Sequence, residues 1–236
     1  MIRIFADAKE LARAAAEYFV SRRPETVALS GGSTPKAMFQ VLAKEFREHV
    51  PWSNLHFFWS DERHVPPDHP DSNYRMANEA LLSHVYSNVH RIRGENPNAA
   101  QAASEYEQTL RDVTKQNLPR LDLILLGLGT DGHTASIFPG SEVLHETKRL
   151  VAAPWVEKLQ THRITMTLPL INNSASVLFL VTGADKAEIV KEVLEGENKY
   201  PAQAVKPNQG ELIWMVDKAA ASFCSELTRR HERIDG

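Results

Sequence analysis

The sequence predicts an α/β layered fold with a mainly parallel central sheet flanked by helices, formed by residues 1–236 as one domain. Short apolar runs alternate with amphipathic helical stretches from end to end, the pattern of successive β–α–β units. Two of the runs, 121–126 and 177–181, are apolar without polar alternation, as strands covered on both faces of a parallel sheet are. No repeat, low-complexity tract or clear linker divides the chain.

Taken in order, Ile2–Phe5 is expected as the first strand, and Asp7 as the cap of an amphipathic helix reaching about residue 20. Residues 26–29 form the next strand, which ends in Ser30-Gly31-Gly32-Ser33-Thr34-Pro35. A helix follows with Met38, Val41, Leu42 and Phe46 on one face; Pro35 suits its first position, and Ser33 or Thr34 its cap. Residues 55–59 make a strand that runs into Ser60, Asp61, Glu62, Arg63 and His64. Pro66, Pro67, Asp68, Pro70 and Asp71 then make a long irregular loop before a helix beginning near Asn73. Residues 89–92 are a short strand, and Asn96-Pro97 opens a helix to about Gln116 with Ala102, Tyr106, Leu110 and Val113 in one stripe. Strand 121–126 stops at a loop holding Gly127, Gly129, Asp131, Gly132 and His133. Beyond it, 150–153 and 163–167 read as strands with an unassigned loop between them, and 177–181 as a buried strand. Gly183-Ala184-Asp185 leads into a helix that stops near Gly196, and 212–216 and 217–230 supply a last strand and helix.

Composition narrows the function classes. Hydrophobic content of 42% and charged content of 24% suit a globular chain with a substantial core. A net charge of −3 gives no global attraction to nucleic acid, although a local basic pocket for a small anion remains open. Cys224 is the only cysteine, which excludes an intramolecular disulfide framework and a Cys-rich zinc site; its neighbours Ala219, Ala220, Ala221 and Phe223 suggest a buried helical position. The amino terminus is charged within its first ten residues and lacks the apolar core of a signal peptide. No apolar segment approaches the roughly 20 residues needed to span a bilayer. A cytoplasmic protein with no membrane partner is therefore expected, and the oligomeric state is left open.

Three strand ends carry polar loops, and in a parallel sheet they open on the same edge, where ligands bind. The Ser30 to Pro35 loop offers consecutive backbone N–H groups and two hydroxyls at a helix start, a setting for an anion. It lacks the Gly-Lys-Ser/Thr ending of a nucleotide loop, so a single phosphate on a small molecule fits better than a triphosphate. In the second loop Arg63 suits bidentate contact with phosphate, while Asp61 suits a sugar hydroxyl or the orientation of another side chain. The plain alternative is a surface ion pair contributing about 0–1 kcal/mol. In the third, His133 is a candidate base near neutral pH. The Gly-x-Gly-x-x-Gly spacing of that loop is set aside as a dinucleotide site, because Asp131 would face a pyrophosphate and Pro139 cuts short the helix that should cradle it. The chain has no Gly-x-Ser-x-Gly elbow, no His-Glu-x-x-His helix and no metal-ligand spacing of histidines, so acid–base chemistry with no metal and no cofactor is expected.

Four ordered motifs, residues 29–35, 59–63, 127–139 and 163–167, resemble those of the 6-phosphogluconolactonase family, and the likeness runs from about residue 27 to the final helix. The resemblance implies a Rossmann-like sheet shared with glucosamine-6-phosphate deaminases. It implies metal-free hydrolysis of a small sugar-phosphate lactone, 6-phospho-D-glucono-1,5-lactone, to 6-phosphogluconate in the oxidative pentose phosphate pathway. It further implies that Ser30, Gly31, Gly32, Ser33, Thr34 and Arg63 hold the phosphate, that His133 is the base, and that Arg163 and Lys206 add basic groups toward the substrate. Asp131 and Asp61 both remain candidates to orient His133. The deaminase branch continues its motif as His-Ile-Ala-Phe-Asn-Glu-Pro, and counting from His133 puts Phe138 where that branch has its Glu. A non-catalytic sugar-phosphate sensor would need an output module, for which no residues are left over.

Overall fold

The computed structural model describes residues 1–225, and its strands and helices alternate as the apolar runs do. β1 (Ile2–Phe5) leads into α1 (Ala8–Arg22), whose first N–H groups, at Lys9 and Glu10, both donate to the Asp7 carboxylate at 2.9 Å. The chain continues through β2 (Thr26–Leu29), α2 (Ser33–Glu45), β3 (His56–Trp59), β4 (Asp61–Arg63), α3 (Asn73–Ala80), β5 (Asn88–Val89), α4 (Ala99–Thr114) and β6 (Leu123–Leu126). The second half holds β7 (Val151–Ala152), β8 (Trp155–Val156), β9 (Thr161–Met166), the one-turn α5 (Leu168–Ile171), β10 (Ser176–Val181), α6 (Ala187–Glu195) and β11 (Glu211–Asp217).

Seven strands form the main sheet in the order β1-β11-β10-β6-β2-β3-β5, and each neighbouring pair is parallel. β6 and β10 are buried at every position, which is why neither shows polar alternation. Phe179 and Trp214 are partners in the β10–β11 register, and their rings stack at 3.8 Å. Because β6, β2 and β3 are adjacent and point the same way, the loops after Leu126, Leu29 and Trp59 emerge side by side. That adjacency places the site.

A second, antiparallel sheet departs from the expected single one. β4 leaves the main sheet after Ser60 and pairs with β9, which also pairs with β7 and β8. β4 is Asp-Glu-Arg and has no apolar residue, so it carries no hydrophobic period; backbone pairing with β9 makes it a strand. β8 falls in the loop that the sequence leaves unassigned.

Other boundaries also differ. α2 begins at Ser33, so Pro35 is its third residue, and its cap position is Gly32 at φ 106°, with no side-chain cap. β6 starts at Leu123 because the Asp122 carboxylate turns back to accept from the Glu25 and Thr26 N–H groups at 2.9 Å. The short strand expected at 89–92 is Asn88–Val89. Residues 218–224 form turns where a helix was expected, folding onto the Asp217 carboxylate, which accepts from Ala220 N–H at 2.8 Å and Gly183 N–H at 3.1 Å. The rest of that predicted helix lies outside the described residues. Cys224 is buried in these turns. Among the described residues no helix is long and apolar enough to cross a membrane.

Glu62 of β4 locks α3 in place. One carboxylate oxygen accepts from Asn73 N–H at 2.7 Å and Arg63 N–H at 2.8 Å, and the other from Tyr74 N–H at 2.8 Å and Ser72 Oγ at 3.0 Å. Burial pushes its pKa up, while the three N–H donors pull it down. Each oxygen meets an N–H donor, so Glu62→Gln must set its amide N–H₂ against one of them. We expect a loss of about 1–3 kcal/mol, read as a lower urea midpoint at unchanged slope; an unmoved midpoint would remove this capping role.

Candidate active site

The loops at the carboxyl ends of β2, β3, β6 and β10 open into one cleft of about 620 Å³, large enough for a small phosphorylated ligand. Its floor includes the whole Ser30 to Thr34 loop. Gly31 is required there by close approach: a Cβ would come within 1.9 Å of Asn73 Oδ1. The N–H groups of Ser33 and Thr34 lie in the first turn of α2, where no intrahelical acceptor exists and no side chain caps them. Thr34 Oγ1 is bonded to Thr182 Oγ1 at 2.8 Å, which ties this turn to the end of β10. Lys186, in the turn before α6, lines the same cleft. Uncapped N–H groups, two hydroxyls and an ammonium together favour an anion.

His133 projects from the loop after β6. Its Nδ1 is 2.5 Å from Asp131 Oδ1, and its backbone N–H donates to the same oxygen at 3.2 Å. Gly129 makes room for the ring, since a Cβ there would lie 2.0 Å from Nδ1. Gly132 turns the loop at φ 78°, and its carbonyl accepts from Ala202 N–H at 3.1 Å. The second Asp131 oxygen accepts from the Lys158 ammonium. Burial alone would push the Asp131 pKa up, but the bonds from Lys158 and His133 outweigh it and hold the carboxyl well below the usual range. It therefore stays ionised at neutral pH and holds Nδ1–H as donor, leaving Nε2 as the basic nitrogen. The Phe138 ring packs on the imidazole at 4.2 Å between centroids, and Lys158 Nζ lies 4.5 Å from the Phe138 centroid.

Asp61 lines the cleft but does not bond His133. Its Oδ2 accepts from Ser136 Oγ at 2.6 Å, and its Oδ1 from Asn73 Nδ2 at 3.3 Å. Of the two carboxylates that the sequence left open, Asp131 is the one the fold brings to the imidazole. Arg63 and Arg163 face each other in the β4–β9 register, and both line the cleft. Burial, and then Arg63, push the Arg163 pKa down. Two guanidiniums placed opposite each other repel, and a bound anion relieves that repulsion. Arg63 also donates to the Asp71 carbonyl, which steadies the proline-rich loop.

Two residues from the sequence reading lie elsewhere. Lys206 is exposed and not part of the cleft lining; its backbone N–H donates to Asn172 Oδ1 at 2.8 Å. His64 pairs with the Asn96 carbonyl at 2.6 Å. Asn73, Ser136, Lys158, Thr182 and Lys186 were missed. Lys186 had a signal, because it follows a buried strand and a glycine as the other site loops do; Lys158 had none. Among the described residues no group of three or more His, Cys, Asp or Glu side chains is placed to hold a metal ion.

Residues 4–214 match the family described as glucosamine-6-phosphate isomerases/6-phosphogluconolactonase. A 6-phosphogluconolactonase of Synechocystis sp. is 45% identical over 204 residues, covering 83% of this chain and 82% of that one. The solved structure of 6-phosphogluconolactonase from Trypanosoma brucei aligns with a TM-score of 0.85 at 30% identity, covering 95% of this chain and 98% of its own. A monomeric glucosamine-6-phosphate deaminase, 23% identical, aligns with a TM-score of 0.81 over 94% of this chain and 99% of that one, which shows a shared fold alone. The chain belongs to the glucosamine-6-phosphate isomerase/6-phosphogluconolactonase family.

Proposed function

We propose that the chain is a 6-phosphogluconolactonase, hydrolysing 6-phospho-D-glucono-1,5-lactone to 6-phosphogluconate in the pentose phosphate pathway. The observation that carries the reading is the Asp131–His133 pair set in one cleft with an uncapped helix start and two facing arginines. The relatives that bear this name match most of the chain.

In this reading the Ser30 to Thr34 loop, Arg63 and Lys186 hold the substrate phosphate. His133 Nε2 takes a proton from water as its oxygen attacks the lactone carbonyl. Asp131 keeps the imidazole in the right tautomer and stabilises the imidazolium that forms. As the tetrahedral intermediate collapses, the bond from the carbonyl carbon to the ring oxygen breaks, and the imidazolium returns its proton to that oxygen. Arg163 stabilises the oxyanion and then the product carboxylate. The deaminase alternative needs a further proton shuttle between neighbouring carbons. Phe138 stands where that branch has a carboxylate, and its ring is packed on His133.

Following 6-phosphogluconate formation from freshly made lactone, with the spontaneous reaction subtracted, tests the activity. No excess rate with the intact protein would remove the lactonase reading. His133→Ala is expected to lower the excess rate by about 10²–10⁴-fold, and an unchanged rate would remove His133 as the base. Arg63→Ala is expected to raise KM with a smaller change in kcat, because the phosphate contact is made in substrate and transition state alike. Equal turnover of phosphorylated and unphosphorylated lactone would rule out the phosphate site.

A further inference from the structure

We propose that Lys158 is a positioning residue that keeps the His133 base unprotonated at working pH by sharing the Asp131 carboxylate with it. The inference rests on the reading of His133 as the base. Asp131 gives one oxygen to His133 Nδ1 and the other to the Lys158 ammonium, so the imidazole and the ammonium share one negative charge. Lys158 is also held over the Phe138 ring, whose packing continues onto the imidazole. Both of its contacts lead to His133.

The local structure reserves this lysine for that task. Lys158 sits in the short turn Glu157–Leu159 between β8 and β9, which ends at Gln160 with φ 48°. The acid next to it in sequence, Glu157, is already engaged: its carboxylate accepts from Trp155 Nε1 at 2.8 Å and Gln160 Nε2 at 2.9 Å. The ammonium is therefore left for Asp131. The other charged groups lining the cleft are Asp61 and Arg63 of β4, Arg163 of β9, and Asp185 and Lys186 before α6. Among the described residues none of these bonds Asp131 or His133, and Asp61 is occupied by Ser136 and Asn73.

The physical need is specific to a base. An unshared carboxylate beside an imidazole stabilises the imidazolium, the form that cannot accept a proton. An ammonium on the second oxygen offsets that pull while the hydrogen bond still fixes the ring. Without the ammonium the imidazole would face an unshared carboxylate across the same hydrogen bond.

Lys158→Met keeps the apolar stem over Phe138 and removes the charge, and the half-exposed position tolerates the change. The acidic limb of the kcat/KM–pH profile should move up by roughly half a unit to one unit, about three- to tenfold in rate on the limb, with the alkaline plateau within about twofold of the parent. Lys158→Arg should restore the limb. The His133 ring proton, identified in NMR by its loss in His133→Gln, should titrate at correspondingly higher pH in Lys158→Met. If that titration coincides with the parent's, the proposal is overturned, whatever the rates do. If it moves and the rate limb does not, the charge sharing stands and His133 is not the base. A uniform loss of rate at every pH with the titration unmoved would overturn the proposal by making Lys158 a substrate contact.

Discussion

The parallel pairing of β3, β2, β6 and β10 is the constraint from which the rest follows. In the register, Ala28 of β2 sits between Phe58 on one side and Ile124 on the other, and every position of β6 and β10 is buried. Polar side chains are confined to the first positions of these strands, as Thr26, His56 and Ser176 are, because burying one without a partner costs several times what a surface contact returns. They collect where the strands end. Since parallel strands share one direction, those ends lie on one edge, and residues far apart in the chain meet there. Thr34 bonds Thr182 at 2.8 Å, and Ser136 bonds Asp61 at 2.6 Å.

Charges drawn into that edge are handled in two ways. Glu62 and Asp131 are met by several donors each, which serves structure in the first case and ring orientation in the second. Arg63 and Arg163 are instead set face to face, an arrangement a purely structural protein would avoid. A locally unfavourable feature of this kind, on a scaffold otherwise consistent from caps to core, is what the proposed phosphate-binding role accounts for.

Legibility from sequence followed the same division. β6 and β10 were readable because burial on both faces leaves the apolar runs 123–126 and 177–181, and His133 and the Ser30 to Thr34 loop because they interrupt such runs with chemistry. β9 was read as a strand at 163–167, but β4 was not, since it has no apolar residue to show a period and its pairing with β9 depends on backbone register. The choice between Asp131 and Asp61 could not be made from spacing, because it turns on which carboxylate the folded loop aims at the imidazole. Lys158 approaches from 27 positions away through a short turn, and its contact with Asp131 forms only once β8 and β9 have paired. Lys206, placed by a loose likeness, lies outside the cleft, where its backbone serves Asn172.

The fold is common to both branches of the family, so the chemistry must be separated at single positions. In the proposed reading position 138 is one of them. A carboxylate there could relay protons between neighbouring carbons of an opened sugar; a phenyl ring offers no proton and withdraws water from one face of the imidazole. In the proposed mechanism one proton moves at a time, taken from water and returned to the ring oxygen, and a single oriented imidazole is enough for it. Phe138 also gives the Lys158 ammonium a surface to rest on, 4.5 Å from the ring centroid, while that ammonium reaches Asp131. In the proposed reading Phe138 thus both leaves out a second relay group and packs against the groups that share the Asp131 carboxylate.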